Sequence, residues 1–199
     1  MPPTVDVLIS YYGDKAVWAP LAQRAYASAM DQTEKADHIY VTYFAEPPLS
    51  RARNVCAARS KADWLIFLDA DDELDPHYIE EMLKGEGDIR QPSTLGIVDG
   101  VEDDYPVLIP PKASMLIGNH LVIGSMVRRS LFEKVGGFVN LPVLEDWDFF
   151  IRCLIAGAQW SPCPDAIYRV HVRPESRNQD AGLHGRVYGE IQQRYAGML

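Results

Sequence analysis

Trp64-Leu65-Ile66-Phe67-Leu68-Asp69-Ala70-Asp71-Asp72 carries five apolar residues in a row and then three carboxylates within four positions. A run without polar alternation fits a central strand covered on both faces. In open α/β sheets, ligands sit beyond the carboxyl ends of such strands. Crowding Asp69, Asp71 and Asp72 is electrostatically unfavourable unless positive charge separates them, as a divalent metal carrying a phosphorylated ligand would. The local alternative is that Asp favours turns, and that Asp75-Pro76 starts a helix over residues 76–84.

A second acidic cluster stands far along the chain. Leu144-Glu145-Asp146-Trp147-Asp148 opens a helix whose apolar residues Trp147, Phe150, Ile151, Leu154 and Ile155 fall at i, i+3, i+4, i+7 and i+8. Acids in a first helical turn are favoured by the dipole and the free N–H groups, so a capped, solvated helix start accounts for this cluster taken alone.

Around the apolar run, strand-like and helix-like segments alternate through the first 84 residues, which predicts parallel βα units: strands at 5–9, 38–43 and 64–68, and helices at 15–30, 50–61 (with Ser50 as N-cap) and 76–84. The second half is mixed. It predicts short strands at 96–98, 107–109 and 122–127, a helix at 130–135 ended by Gly136-Gly137, a strand at 166–172 and an amphipathic helix at about 183–195. A chain of 199 residues with 47% hydrophobic and 24% charged residues suits one compact α/β domain with a mixed central sheet.

The net charge of −9, with no basic run longer than Arg128-Arg129, argues against nonspecific nucleic-acid binding. No stretch has the length of a membrane span, and the N-terminus lacks a basic region followed by an apolar core, so a soluble, cytoplasmic protein is expected. Cys56, Cys153 and Cys163 are odd in number and widely spaced, which disfavours a disulfide framework or a zinc site.

Five blocks now stand in order: VDVLIS at 5–10, SRARNVCAARSKADWLIFLDADDEL at 50–74, VRRSLFEKVGGF at 127–138, LEDWDFFIRCLIAG at 144–157 and YRVH at 168–171. Their order and spacing resemble a small family 2 glycosyltransferase of the GT-A fold, the Rossmann-like fold of nucleotide-diphospho-sugar transferases. The resemblance covers about residues 4–173, weakly over 85–120, and leaves a C-terminal helix at about 183–196. It implies one catalytic domain over residues 1–199 and metal-dependent, inverting transfer of a hexose-type sugar from a nucleotide-diphosphate sugar, with UDP favoured, to an acceptor hydroxyl.

By the same resemblance, LDADD is the DxD motif, in which Asp69 meets the ribose or the metal and Asp71 binds the metal directly. Alternation along an extended segment would send both side chains to one side. Asp72 is read as a turn-former. Asp146 is the expected general base and Glu145 the residue orienting acceptor hydroxyls, or the two exchange roles. His171, in a block where relatives place a metal-binding histidine, would favour Mn2+ at least as much as Mg2+. Ser10, Tyr11, Arg53, Asn54 and Arg128 are the expected nucleotide-side residues. Trp147 either packs in the core or stacks on an acceptor sugar.

The chain departs from the pattern at one point: residues 39–44, Ile-Tyr-Val-Thr-Tyr-Phe, end the second strand without the usual base-reading acid. Two other readings remain, a non-catalytic nucleotide-sugar or carbohydrate-binding module and a metal-dependent phosphatase. The acceptor is open among a glycan, a lipid-linked sugar, a protein side chain and a modified base, with residues 110–124 and 173–182 expected to shape the choice.

Overall fold

Eight strands form one mixed sheet in a computed structural model that describes residues 2–46, 48–98, 100–105, 112–173 and 180–199. The first half is built as expected. Strand β1 (Val5–Tyr12) is followed by helix α1 (Lys15–Met30), β2 (His38–Phe44), α2 (Leu49–Ala57) and β3 (Trp64–Asp69). Strand β1 lies between β2 and β3 and is parallel to both, so the ends of all three point the same way. The run at 64–68 is buried at every position, as a strand covered on both faces must be.

The second half adds β4 (Glu73–Leu74), α3 (Tyr78–Lys84), β5 (Ile89–Val98), β6 (Val101–Tyr105), a 3-10 turn (Lys112–Leu116), β7 (Met126–Arg128), α4 (Arg129–Val135), α5 (Glu145–Ile155), β8 (Trp160–His171) and α6 (Ala181–Tyr195). The sheet order is β2-β1-β3-β7-β5-β8-β4, with β6 paired to β5. Strand β7 runs antiparallel to both β3 and β5, and β8 runs parallel to β5.

Several boundaries differ from the sequence reading. Helix α2 starts at Leu49 after Pro48, with no side-chain cap, and Ser50 lies buried inside its first turn. The strand expected at 122–127 shrinks to Met126–Arg128, because the Ser125 amide closes a turn onto the Val122 carbonyl at 2.9 Å. Strands β5 and β8 are far longer than expected. Pro92, Pro162 and Pro164 lie inside them, and the β5/β8 register shifts between Pro92 and Ser93, the kind of irregularity that admits proline. The strand expected at 107–109 lies outside the described residues, and β6 was not foreseen. Helix α4 ends at Gly136 in the left-handed region (φ 79°), where glycine carries no Cβ penalty.

Helix α5 buries Trp147, Phe149, Phe150, Ile151 and Leu154, while Ile155 is exposed. Phe138 packs edge-on against Phe67 of β3 at 4.9 Å and lies 4.7 Å from Phe149, which seats the start of α5 over the end of the parallel strands. The three cysteines are buried and unpaired. No helix among the described residues is long and apolar enough to cross a membrane.

Candidate active site

The acids after β3 do not continue the strand. The Asp72 amide donates to the Asp69 carbonyl at 3.1 Å, so Ala70 and Asp71 form the corner of a turn. The alternation expected for Asp69 and Asp71 therefore stops at Asp69. Strand register places Asp69 beside Ser10, which in turn lies beside Thr42. Tyr168 of β8 supports the turn from below: its hydroxyl accepts the Asp69 amide at 3.1 Å, and its ring lies directly over Gly124. Asp72 is buried and accepts the His171 amide at 2.9 Å, so it holds the end of β8 as well as forming the turn.

A Cβ on Gly124 would collide with the Tyr168 ring, and that ring is fully buried. Gly124→Ala should therefore cost about 1–3 kcal/mol through overpacking. Thermal unfolding beside the wild type checks this, and an unchanged midpoint would mean that the ring moves aside freely.

Charge at the turn is poorly compensated. Burial, and then Asp69, hold the Asp71 carboxyl above its ordinary range. Burial, with Asp69 and Asp71, pushes Asp72 well above it. Positive groups stand nearby: Arg24 Nη2 donates to the Asp71 carbonyl at 2.6 Å, and Arg173 Nη1 lies 3.9 Å from Asp71 Oδ2.

The two acidic clusters meet across one buried guanidinium. Arg53 of α2 reaches Asp69 Oδ1 at 2.5 Å through Nη2 and Glu145 Oε1 at 2.8 Å through Nη1. Burial works against its charge, but Asp69 and Glu145 outweigh it and hold the guanidinium above its ordinary pKa. Helix α5 begins after Leu144, the one non-glycine residue with positive φ (61°) among those described, a conformation that costs roughly 1–2 kcal/mol and turns the chain sharply into the acids. Glu145 is buried against Arg53, so the carboxylate is engaged by that guanidinium.

Asp146 is half-buried. Its Oδ1 accepts the Trp147 amide at 2.8 Å and its Oδ2 accepts Asn119 Nδ2 at 2.9 Å. Burial, then the Glu145 charge, raises its pKa to about 6, against the opposing pull of Arg53. A carboxylate so poised suits proton transfer near neutral pH.

The other expected residues divide. Ser10 is buried with its hydroxyl unpartnered among the described residues, and Tyr11 lies 5.2 Å from Tyr43, so both stand at the strand ends beside Asp69. Asn54 spends its amide on the loop before α5: Nδ2 donates to the Phe138 carbonyl at 2.8 Å and Oδ1 accepts the Phe138 amide at 2.9 Å. Arg128 stands apart from Asp69. It pairs in register with Trp64, stacks on that indole at 4.4 Å and bonds Asp88, at the opposite end of β3 from Asp69. Five residues of strand separate those two ends, roughly 16 Å. Trp147 is core: its Nε1 donates to the Met115 carbonyl at 2.6 Å and its ring is 1% exposed.

His171 Nε2 lies 2.6 Å from Glu73 Oε2, so the imidazole is engaged by Glu73. Among the described residues no group of three or more His, Cys, Asp and Glu side chains converges as a metal cage. Asp69 and Asp71, mutually repelling oxygen donors, fit a hard divalent cation that takes its remaining ligands from water and phosphate.

Sequence reading missed Asn119, Tyr168 and Asp148. Asp148 is fully buried and accepts from Arg152 Nε at 2.8 Å, Arg194 Nη1 at 3.1 Å and the Tyr195 hydroxyl at 2.8 Å, which locks α6 onto α5. Its i,i+4 spacing to Arg152 was a usable signal.

Residues 24–106 match the family model described as glycosyl transferase family 2. An uncharacterized glycosyltransferase of Haemophilus influenzae is 30% identical over 121 residues, which are 53% of this chain and 40% of the relative. The chain thus spans well under half the length of that curated relative. Among solved structures, S. aureus TarS 1-349 in complex with UDP-GlcNAc superposes with a TM-score of 0.70 at 13% identity, over 94% of this chain and 66% of that one. Its complex with UDP gives 0.68 at 14% identity, over 96% and 70%. At these identities the likeness is one of fold, a GT-A-like mixed α/β architecture.

Proposed function

We propose that this chain, whose residues 24–106 match the glycosyl transferase family 2 model, is a glycosyltransferase of that family and moves a sugar from a UDP-sugar to an acceptor hydroxyl with inversion at the anomeric carbon. One observation carries this reading: Arg53 ties the strand-end Asp69 to Glu145, so that Asp146, with a pKa of about 6, stands next to the leaving-group acids. The TarS structures of the same fold hold UDP and UDP-GlcNAc, which favours uridine nucleotides. Residues 4–173 would form the catalytic core, with α6 braced against it.

Ser10, Tyr11 and Tyr43 at the ends of β1 and β2 would receive the nucleoside, and Thr42, Tyr43 or backbone groups would read the base where an acid is missing. Asp69 and Asp71 would hold Mn2+ or Mg2+, which when bound supplies the positive charge that the departing diphosphate needs. His171 would join them only by leaving Glu73. Asp146 would take the proton of the acceptor hydroxyl as its oxygen bonds the anomeric carbon. The bond from that carbon to the diphosphate breaks on the opposite face, and its electron pair leaves with UDP.

Thermal shift and donor hydrolysis test this together. UDP with Mn2+ should raise the melting temperature of the wild type, because a ligand at about 100 times its Kd stabilises the native state by about 2.7 kcal/mol. Asp71→Asn should lose the metal-dependent part of that shift while its metal-free melting temperature holds or rises, since one of three crowded charges is gone. An unchanged Mn2+ response would remove Asp71 as ligand. Slow release of UDP from a UDP-sugar supports the transferase; release of inorganic phosphate would make the protein a phosphatase, and neither product a binding module.

A further inference from the structure

We infer that the side-chain amide of Asn119 is a positioning group for the base, fixing the Asp146 carboxylate from outside helix α5; this rests on the reading of Asp146 as base. Two N–H donors grip the carboxylate, the Trp147 amide on Oδ1 at 2.8 Å and Asn119 Nδ2 on Oδ2 at 2.9 Å, so its plane is set from both ends. The orientation of the Asn119 amide is itself determined. Its Oδ1 accepts the Leu121 N–H at 3.2 Å, which leaves the NH2 end for Asp146.

The loop carrying Asn119 is tied down on both sides. The carbonyls of Met115, Leu116 and Ile117 accept from Trp147 Nε1 at 2.6 Å, Gln192 Nε2 at 2.8 Å and the Tyr188 hydroxyl at 2.5 Å, and that of His120 accepts from Gln91 Nε2 at 2.6 Å. Trp147 follows Asp146 directly and stacks on Tyr188 at 4.9 Å, so base and loop share one anchor on α6. A loop tie alone needs only the carbonyl bonds. The amide aimed at Asp146 adds a bond to a titratable group, and its chemistry favours the ionised carboxylate.

The groups acting on Asp146 are Glu145 on its own helix, Arg53 on α2, Asp69 at the end of β3 and the Asn119 amide. Asn119→Ala removes a donor to the charged form, so the Asp146 pKa should rise by about half a pH unit, the equivalent of one modest hydrogen bond. Asn119→Asp replaces the donor by a second carboxylate and should raise it further. Asn119 is exposed, so neither variant threatens the fold.

The test is the carboxyl titration of 13C-aspartate-labelled protein, with Asp146 assigned through Asp146→Asn, run beside the pH profile of UDP-GlcNAc hydrolysis. The expected order of Asp146 pKa is wild type, then Ala, then Asp, with the acidic limb of kcat following it, kcat at neutral pH several-fold lower and donor KM within two-fold. A titration that ignores both substitutions overturns the inference, as does a limb that stays fixed while the titration moves. Absence of UDP release from the wild type is a different failure. It sinks the transferase reading, and the titration still decides whether Asn119 holds Asp146.

Discussion

Asp146→Asn should lose at least two orders of magnitude in transfer rate while donor affinity stays within a few-fold of wild type. The amide keeps the shape, and its single oxygen can still accept the Trp147 N–H, which holds the start of α5 in place, while the bond from Asn119 Nδ2 is given up because the new NH2 is itself a donor. What disappears is the basic lone pair. Single-turnover release of UDP from a UDP-sugar measures the rate, and calorimetry with UDP the affinity. In the wild type the acidic limb should fall near pH 6, because activity needs the ionised carboxylate and is lost as pH drops through its raised pKa. A variant with near wild-type turnover would remove Asp146 as base, and one that cannot bind UDP would make it a structural acid.

Arg53→Met should strongly destabilise the fold. It leaves Glu145, with a side chain 4% exposed, buried without its cation, and it strips Asp69 of its nearest positive charge. Breaking a buried pair from one side costs about 3–5 kcal/mol, because the surviving charge stays desolvated. For a chain of this size that is a fall of roughly 6–20 °C in melting temperature. Adding Glu145→Gln should recover part of the loss, since the buried charge is then gone. Equal melting temperatures for wild type and Arg53→Met would mean that water reaches Glu145 and that the bridge is not buried in solution.

The acids of the site were legible in the chain because they sit in local patterns. An apolar run ending in Asp69 reads as a strand end, and Glu145 and Asp146 before a helical stripe read as a first turn. Arg53 was expected beside the nucleotide, and its bridge was not foreseen, since its partners lie 16 and 92 positions away. That Arg128 stands apart from Asp69 was not foreseen, for a related reason. The antiparallel direction of β7 puts it opposite Trp64, and strand direction is not written in hydrophobic pattern. Asn119 sits in a stretch with neither periodicity nor motif. The prolines of β5 and β8 hid strands that only the neighbouring strands define.

The bonds that close the site have long sequence separations: 92 residues for Arg53–Glu145, 99 for Asp69–Tyr168 and 99 for Asp72–His171. Each must overcome the loop-closure entropy of half the chain, whereas α1 and α2 form from contacts within a few residues. In kinetic terms the site is a high-contact-order element laid over low-contact-order parts. During refolding the far-ultraviolet helical signal should recover ahead of UDP binding, because helices can be complete while Arg53 still lacks Glu145. Ligand binding is then the measure of whether the two halves of the chain have met.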